Sequence, residues 1–275
     1  MQPNSAEIAA FLAEDIGSGD LTADIIPAST RANATVITRE NMVLCGQLWF
    51  EAVFKQLSPD IAITWHVNEA EEVSKNTRIC TLSGQARALL SGERTALNLL
   101  QTLSATATKA RQYANAVAGT NCKVLDTRKT IPGLRKAQKY AVKCGGCFNH
   151  RIGLFDAILI KENHIISAGS IAKAVAKAKF THNAMVEVEV ENLAEFQQAL
   201  IAQPDRILLD NFSLTDIISA VELNCGKLEL EASGNITLEN IRNIAETGVN
   251  YISIGALTKN LAAVDLSMRI ELQTS

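Results

Sequence analysis

Residues Met185–Asn192 read MVEVEVEN. Val186, Val188 and Val190 alternate strictly with Glu187, Glu189 and Glu191, so a strand here carries valines on one face and carboxylates on the other. In a parallel sheet covered by helices, the valine face meets the helices. The glutamates then point into the interior of a barrel. Buried carboxylates are very costly unless cations or a metal accompany them, so this interior calls for positive partners.

The same grammar extends on both sides. Strand-like runs occur at 123–126 (KVLD), 157–161 (AILIK), 206–210 (RILLD), 228–232 (LELEA) and 251–255 (YISIG). Helical segments such as IAKAVAKAKF and LTDIISAVELN lie between them. Repeated strand–helix units imply a parallel sheet with helices packed outside. Six strands suggest a barrel short of the usual eight, with an open doubly wound sheet as the alternative. The strands finish at or just before Asp126, Lys161, Glu189, Asp210, Ser233 and Gly255. In either architecture a site forms beyond the carboxyl ends of the strands. Glu229 and Glu231 repeat the acidic alternation in LELEAS.

Upstream the pattern differs. Residues 5–16 predict an amphipathic helix with Ser5 as N-cap. Residues 32–90 read mostly as short strands (ATVIT, MVLCG, AITWHV, TRICTLSG) without regular helix alternation, which fits an α+β domain on an antiparallel sheet. A long helical stretch from Ser91 to Gly119 carries the boundary, giving expected domains at 1–105 and 106–275.

The chain of 275 residues is 47% hydrophobic with net charge −3, enough for a large core and unlike a general nucleic-acid binder. Its start lacks the basic region of a signal peptide, and no run reaches the roughly 18 apolar residues of a membrane span. The expectation is a cytoplasmic protein with no membrane or nucleic-acid partner. Of six cysteines only Cys144 and Cys147 form a CxxC, with no second ligand pair for zinc, so free thiols are expected.

Against this mildly acidic background, residues 126–151 (DTRKTIPGLRKAQKYAVKCGGCFNHR) hold seven Lys or Arg residues and a single acid, Asp126. Arg128, Lys129, His150, Arg151 and Lys161 are candidate anion donors, and arginine suits carboxylate and phosphate because its planar fork engages two oxygens. Arg135, Lys136, Lys139 and Lys143 read as a solvated helix face. Glu189 and Asp210 could hold Mg²⁺, a hard cation that prefers oxygen ligands. Ser233-Gly234-Asn235 and Gly255-Ala256 lie between strand and helix, where small residues let backbone N–H groups approach a phosphate. Together these describe a site for a phosphorylated substrate, a metal and a second anion.

The run DTRKT-x-PGLR-x6-V-x-CGG-x2-NHR-x-GL-x-D-x3-IKENH, followed by VEVEVENL, LLDN, EASGN and SIGAL, resembles the quinolinate phosphoribosyltransferases. EDIGSGDLT and SGERTALN match as well, so the resemblance covers nearly the whole chain in order. It implies an N-terminal α/β sandwich domain, an incomplete α/β (TIM-like) barrel, and assembly as a homodimer or a hexamer built as a trimer of dimers. It implies transfer of phosphoribose from phosphoribosyl pyrophosphate to quinolinate with decarboxylation, aided by Mg²⁺. Arg128, His150, Arg151 and Lys161 would bind the quinolinate carboxylates, with Thr127 in the same substrate site. Lys129 and Lys161 would lie near the pyrophosphate, and Arg94 would enter from the neighbouring subunit. Glu189 and Asp210 would serve the ribose hydroxyls and Mg²⁺. Ser233, Gly234, Asn235 and the Ile254-Gly255-Ala256 turn would cradle the 5′-phosphate. Lys129, Lys161, Glu189 and Asp210 would form the catalytic set. Cys147 departs from the family, which more often has glycine there. The alternatives are a related enzyme using nicotinate or another acid, a similar barrel of metal-uptake operons, a Schiff-base aldolase on Lys161, and a non-catalytic phosphometabolite sensor.

Overall fold

The computed structural model describes residues 2–272; Met1 and residues 273–275, at the outer ends of the two expected domains, lie outside the described residues. In chain order the strands are β1 (Arg31–Thr38), β2 (Met42–Val43), β3 (Ala62–Trp65), β4 (Glu72–Val73), β5 (Arg78–Gln85), β6 (Lys123–Leu125), β7 (Ile158–Ile160), β8 (Val186–Val190), β9 (Arg206–Asp210), β10 (Glu229–Ser233), β11 (Tyr251–Ser253) and β12 (Leu266–Leu272). The helices that matter below are α1 (Ser5–Ile16), α2 (Gln47–Leu57), α3 (Ala86–Ala116) and α4 (Arg135–Cys144).

The chain forms two compact units. One contains the residues up to Arg111, Ile131–Gly146 and the residues from Asn260 onward; the other contains Gln112–Thr130 and Cys147–Lys259. The two segments that follow Thr130 and Lys259 thus return to the first unit. A local pattern shows where helices and strands fall, but not that two later segments return to the first unit.

The first unit carries an antiparallel sheet in the order β12-β1-β5-β3 and a small β2-β4 pair. The strands anticipated within 32–90 are present. Two features were not anticipated. QLWFEAVFKQL is helix α2, which buries Trp49, Phe50, Val53 and Phe54, a face spaced for helix rather than strand. Strand β12 pairs with β1 from Ala32↔Leu272 to Thr38↔Leu266. Helix α1 covers the expected residues, but its cap is Asn4, whose side chain accepts the Ala6 N–H at 3.0 Å. Lys139 is fully buried on α4 rather than solvated: its neighbours Ala137, Gln138, Ala141 and Val142 are buried with it, which places it on the packed face.

The second unit holds the six strands read from sequence, all paired in parallel in the order β6-β11-β10-β9-β8-β7. Strands adjacent in sequence are adjacent in the sheet from β7 to β11, and β11 then pairs with β6. The winding never reverses, which is barrel winding and excludes the doubly wound alternative. The gap falls between β6 and β7, where Phe148 makes an isolated parallel bridge to Leu125. The valines of β8 are fully buried. Among the described residues no helix is long and apolar enough to cross a membrane.

Candidate active site

The carboxyl ends of these parallel strands surround a cavity of about 430 Å³. Thr127, Arg128 and Lys129 follow β6; His150 and Arg151 lie on the loop before β7; Lys161 follows β7. Glu189 is on β8, Asp210 ends β9, and Ser233 ends β10; all of these line the cavity. Sequence reasoning had placed each of them at the site. It missed Leu159, Leu208, Glu231 and Ser253, which also line it. Leu208 shows why: on β9 an apolar residue occupies the register that Glu189 holds on β8, and leucine carries no signal of chemistry.

Buried Asp126 organises the loop that bears His150. Its carboxylate accepts Asn149 Nδ2–H at 2.7 Å and His150 N–H at 2.9 Å. His150 Nδ1 accepts the Arg151 backbone N–H at 2.8 Å. Its ring proton therefore sits on Nε2, which donates to Glu187 at 2.9 Å. Arg151 NH1 donates to the Ala157 carbonyl at 3.1 Å. Burial, and then the neighbouring Arg128, hold the Arg151 guanidinium below its usual pKa. Arg128 and Arg151 thus bring two guanidinium groups to one cavity. Lys129 passes over Gly255, where a Cβ would lie 2.9 Å from Lys129 Cδ, and the Lys129 carbonyl accepts Thr258 Oγ1–H at 2.8 Å. Lys161 is ion-paired with Glu189.

Glu187 and Glu231 lie deeper, with no exposed surface. The cations of 126–161 were expected to compensate such acids, and His150 lies 2.9 Å from Glu187 and 3.5 Å from Glu231; Arg206, the first residue of β9, joins it. Arg206 donates to Glu231 at 3.0 Å and to Glu229 at 3.1 Å, and its guanidinium lies 3.8 Å from the centre of the Tyr251 ring. One arginine does not neutralise the set. Burial, then Glu187, push the Glu231 carboxyl up to about 7; burial also raises Glu187. Glu191, expected on the same face, lies past the end of β8 and is exposed. His150, Glu187 and Glu231 could be taken for a metal cluster, since their ligand atoms lie within 4.8 Å of one another. With Nδ1 already an acceptor, Nε2 keeps its proton and has no lone pair for a metal.

Gly234 and Asn235 open on a neighbouring cleft of about 250 Å³ rather than on the main cavity. Asn211, absent from the sequence reading, ties this edge together. Its Nδ2 donates to Asp210 at 2.8 Å, its N–H to the Ser233 carbonyl at 2.8 Å, and its Oδ1 accepts from Asn235 at 3.1 Å. A Cβ on Gly234, at φ +95°, would fall 2.1 Å from Asn211 Oδ1. Ile254 and Gly255 lead into the short helix Ala256–Lys259, whereas the helix after Asn235 starts only at Ile241. Arg94 belongs to the other unit and is largely exposed, 3.9 Å from Glu93.

Profiles of the quinolinate phosphoribosyl transferase N-terminal and C-terminal domains match residues 20–104 and 106–269. The chain belongs to the quinolinate phosphoribosyl transferase family. Within that family, a Synechocystis protein named probable nicotinate-nucleotide pyrophosphorylase (carboxylating) is 41% identical over 265 residues, spanning 94% of this chain and 90% of its own. A Bacillus subtilis protein of the same name is 39% identical over 264 residues, spanning 95% and 91%. The solved structure of the Francisella tularensis nicotinate-nucleotide pyrophosphorylase superposes with TM-score 0.94 at 51% identity, covering 98% of each chain.

Proposed function

We propose that the protein transfers the phosphoribosyl group of phosphoribosyl pyrophosphate to quinolinate and removes the ring 2-carboxylate. The products are nicotinate mononucleotide, carbon dioxide and pyrophosphate, in NAD biosynthesis. The observation that carries this, beside family membership, is that Arg128 and Arg151 line one cavity, where the charge of Arg128 bears on Arg151 and a dicarboxylate would relieve that repulsion. A unit charge at about 4 Å is worth about 4 kcal/mol at an effective dielectric of about 20, so two carboxylates on two guanidinium groups hold the ring firmly.

His150 lines the cavity beside these arginines and keeps the Arg151 backbone in place while its own proton faces Glu187. The ring nitrogen attacks ribose C1, the C1–O bond to pyrophosphate breaks, and Lys129 and Lys161 stabilise the departing charge. The transition state is oxocarbenium-like, and no protein nucleophile is needed. Once the ring nitrogen is cationic, its adjacent positive charge stabilises the electron pair left on C2 when carbon dioxide departs, and that pair then takes up a proton in place of the carboxylate.

Glu189 and Asp210, two carboxylates at adjacent strand ends in one cavity, offer the hard oxygen donors that Mg²⁺ takes. When bound, that ion neutralises pyrophosphate charge. The same two residues serve the ribose hydroxyls. Ser233, Gly234, Asn235 and Ile254-Gly255-Ala256 cradle the 5′-phosphate, with Thr127 beside Lys129. Arg94 comes from a second copy in a homodimer or hexamer, and the reaction takes place in the cytoplasm.

The test is turnover with phosphoribosyl pyrophosphate, Mg²⁺ and either quinolinate or nicotinate. Mononucleotide and carbon dioxide from quinolinate alone are expected; product from nicotinate alone would reassign the pocket. Arg128→Ala should weaken quinolinate binding in calorimetry, and unchanged affinity would overturn the role of the arginine pair.

A further inference from the structure

A second group of reactive side chains lies in the first unit and has no part in the reaction proposed above. Cys45 precedes α2, Cys144 ends α4, and the two sulfurs and the Glu69 carboxylate lie within 4.8 Å of one another. The sequence pairing of Cys144 with Cys147 is therefore not the only pairing open to Cys144. None of the six cysteines is in a disulfide.

Both backbones are clamped. Ser104 Oγ accepts the Cys45 N–H at 3.0 Å and donates to the Cys45 carbonyl at 3.2 Å. Arg111 donates to the Cys144 and Gly145 carbonyls. A Cβ on Gly145 would lie 2.4 Å from the Ala107 carbonyl oxygen, so only glycine lets the end of α4 come this close to α3. Glu69 is held by the Gly46 N–H at 2.9 Å and the Gln47 N–H at 3.2 Å.

We propose that Cys45 and Cys144 are a reversible oxidation site: Cys144 reacts with a hydroperoxide, Cys45 resolves the product to a disulfide, and Glu69 takes the Cys45 proton.

The roles follow from position. Cys144 is partly exposed and Cys45 fully buried, so an oxidant meets Cys144 first. Hydrogen bonds, first from Cys45 and then from Tyr140, hold the Cys144 thiol below its usual pKa. The bond to Cys144 and burial push Cys45 up, so it needs a base. Low-pKa, accessible thiols beside a second cysteine are the ones that oxidise reversibly. The cluster supplies three ligands where structural zinc takes four.

In the first step the Cys144 thiolate bonds to one peroxide oxygen. The O–O bond breaks, the other oxygen leaves as hydroxide and takes up a proton, and Cys144 becomes a sulfenic acid. In the second step the Cys45 sulfur attacks the Cys144 sulfur as its proton passes to Glu69. The S–O bond breaks, and the departing hydroxide takes up that proton and leaves as water. The thiol pair loses two electrons and the peroxide gains them.

The test exposes the unsubstituted protein to limiting hydrogen peroxide, blocks remaining thiols by alkylation and maps non-reduced peptides by mass spectrometry. A Cys45–Cys144 linked peptide, two hydrogens lighter than the separate peptides and lost on dithiothreitol treatment, is expected. Cys45→Ser should instead accumulate a dimedone adduct on Cys144, and Glu69→Gln should slow crosslinking without slowing peroxide consumption. Oxidation confined to exposed Cys225, or a Cys144 sulfinic acid without crosslink in the unsubstituted protein, would overturn the proposal.

Discussion

Replacing Glu231 by glutamine should change how stability depends on pH. Glu231 has no exposed surface, and its carboxyl is raised from 4.5 to about 7 by burial and then by Glu187. A folded-state pKa above the unfolded one means that the native protein holds the proton more tightly. The stability this group contributes is fully present below about pH 4.5 and is lost as pH rises through about 7. The difference, 7 − 4.5 or about 2.5 units, corresponds to about 3 kcal/mol. Glutamine cannot ionise, and its carbonyl can still accept the Arg206 bond. The stability difference, variant minus parent, should therefore move toward the variant by about 3 kcal/mol between pH 4.5 and pH 8.5. Urea unfolding followed by far-ultraviolet circular dichroism, without substrates or Mg²⁺, measures it. Both tryptophans belong to the first unit, so their fluorescence would report on the wrong part of the chain. A difference that stays flat with pH, or grows toward the parent, would refute the picture of an under-compensated buried acid.

Gly234→Ala should cost about 2–4 kcal/mol, combining a left-handed backbone with displacement of Asn211, and should raise the KM for phosphoribosyl pyrophosphate more than that for quinolinate; equal effects on both would count against a phosphate role for this edge. Gly145→Ala meets backbone 2.4 Å away and should destabilise by about 1–3 kcal/mol in urea unfolding. His150→Asn keeps an acceptor for the Arg151 N–H and should retain more quinolinate affinity than His150→Ala, whereas equal losses would point to a direct role of the ring. Lys161→Met leaves Glu189 without its cation and should lower kcat more than it raises the KM for quinolinate, which steady-state kinetics at saturating Mg²⁺ will show.

Much of the second unit was legible because its signals are local. MVEVEVEN needs nothing beyond the two-residue repeat of a strand to put Glu187 and Glu189 on one face, and the structure finds both in the interior. Polar residues at strand ends located the cavity, since a parallel sheet gathers those ends on one side. The basic run 126–151 divided differently from its reading. Arg128, Lys129, His150 and Arg151 reach the cavity, but Lys139 is buried on α4, and charge alone cannot say which face of a helix is covered.

Read alone, the sequence yields the strand–helix succession of the second unit, the family with its barrel, and most of the residues that converge at the strand ends. Each depends on periodicity or on motifs read in order along the chain. Other features depend on distances between remote segments and emerge only in the folded chain. Such cases are β12 pairing with β1, Arg206 joining His150 at Glu231, and Asn211 tying Asp210 to Asn235. The direction of the His150 proton and the approach of Cys45 to Cys144 are others. Contacts of this kind leave no repeat in the sequence, because the free energy that sets them comes from burial and charge compensation after the chain has closed on itself.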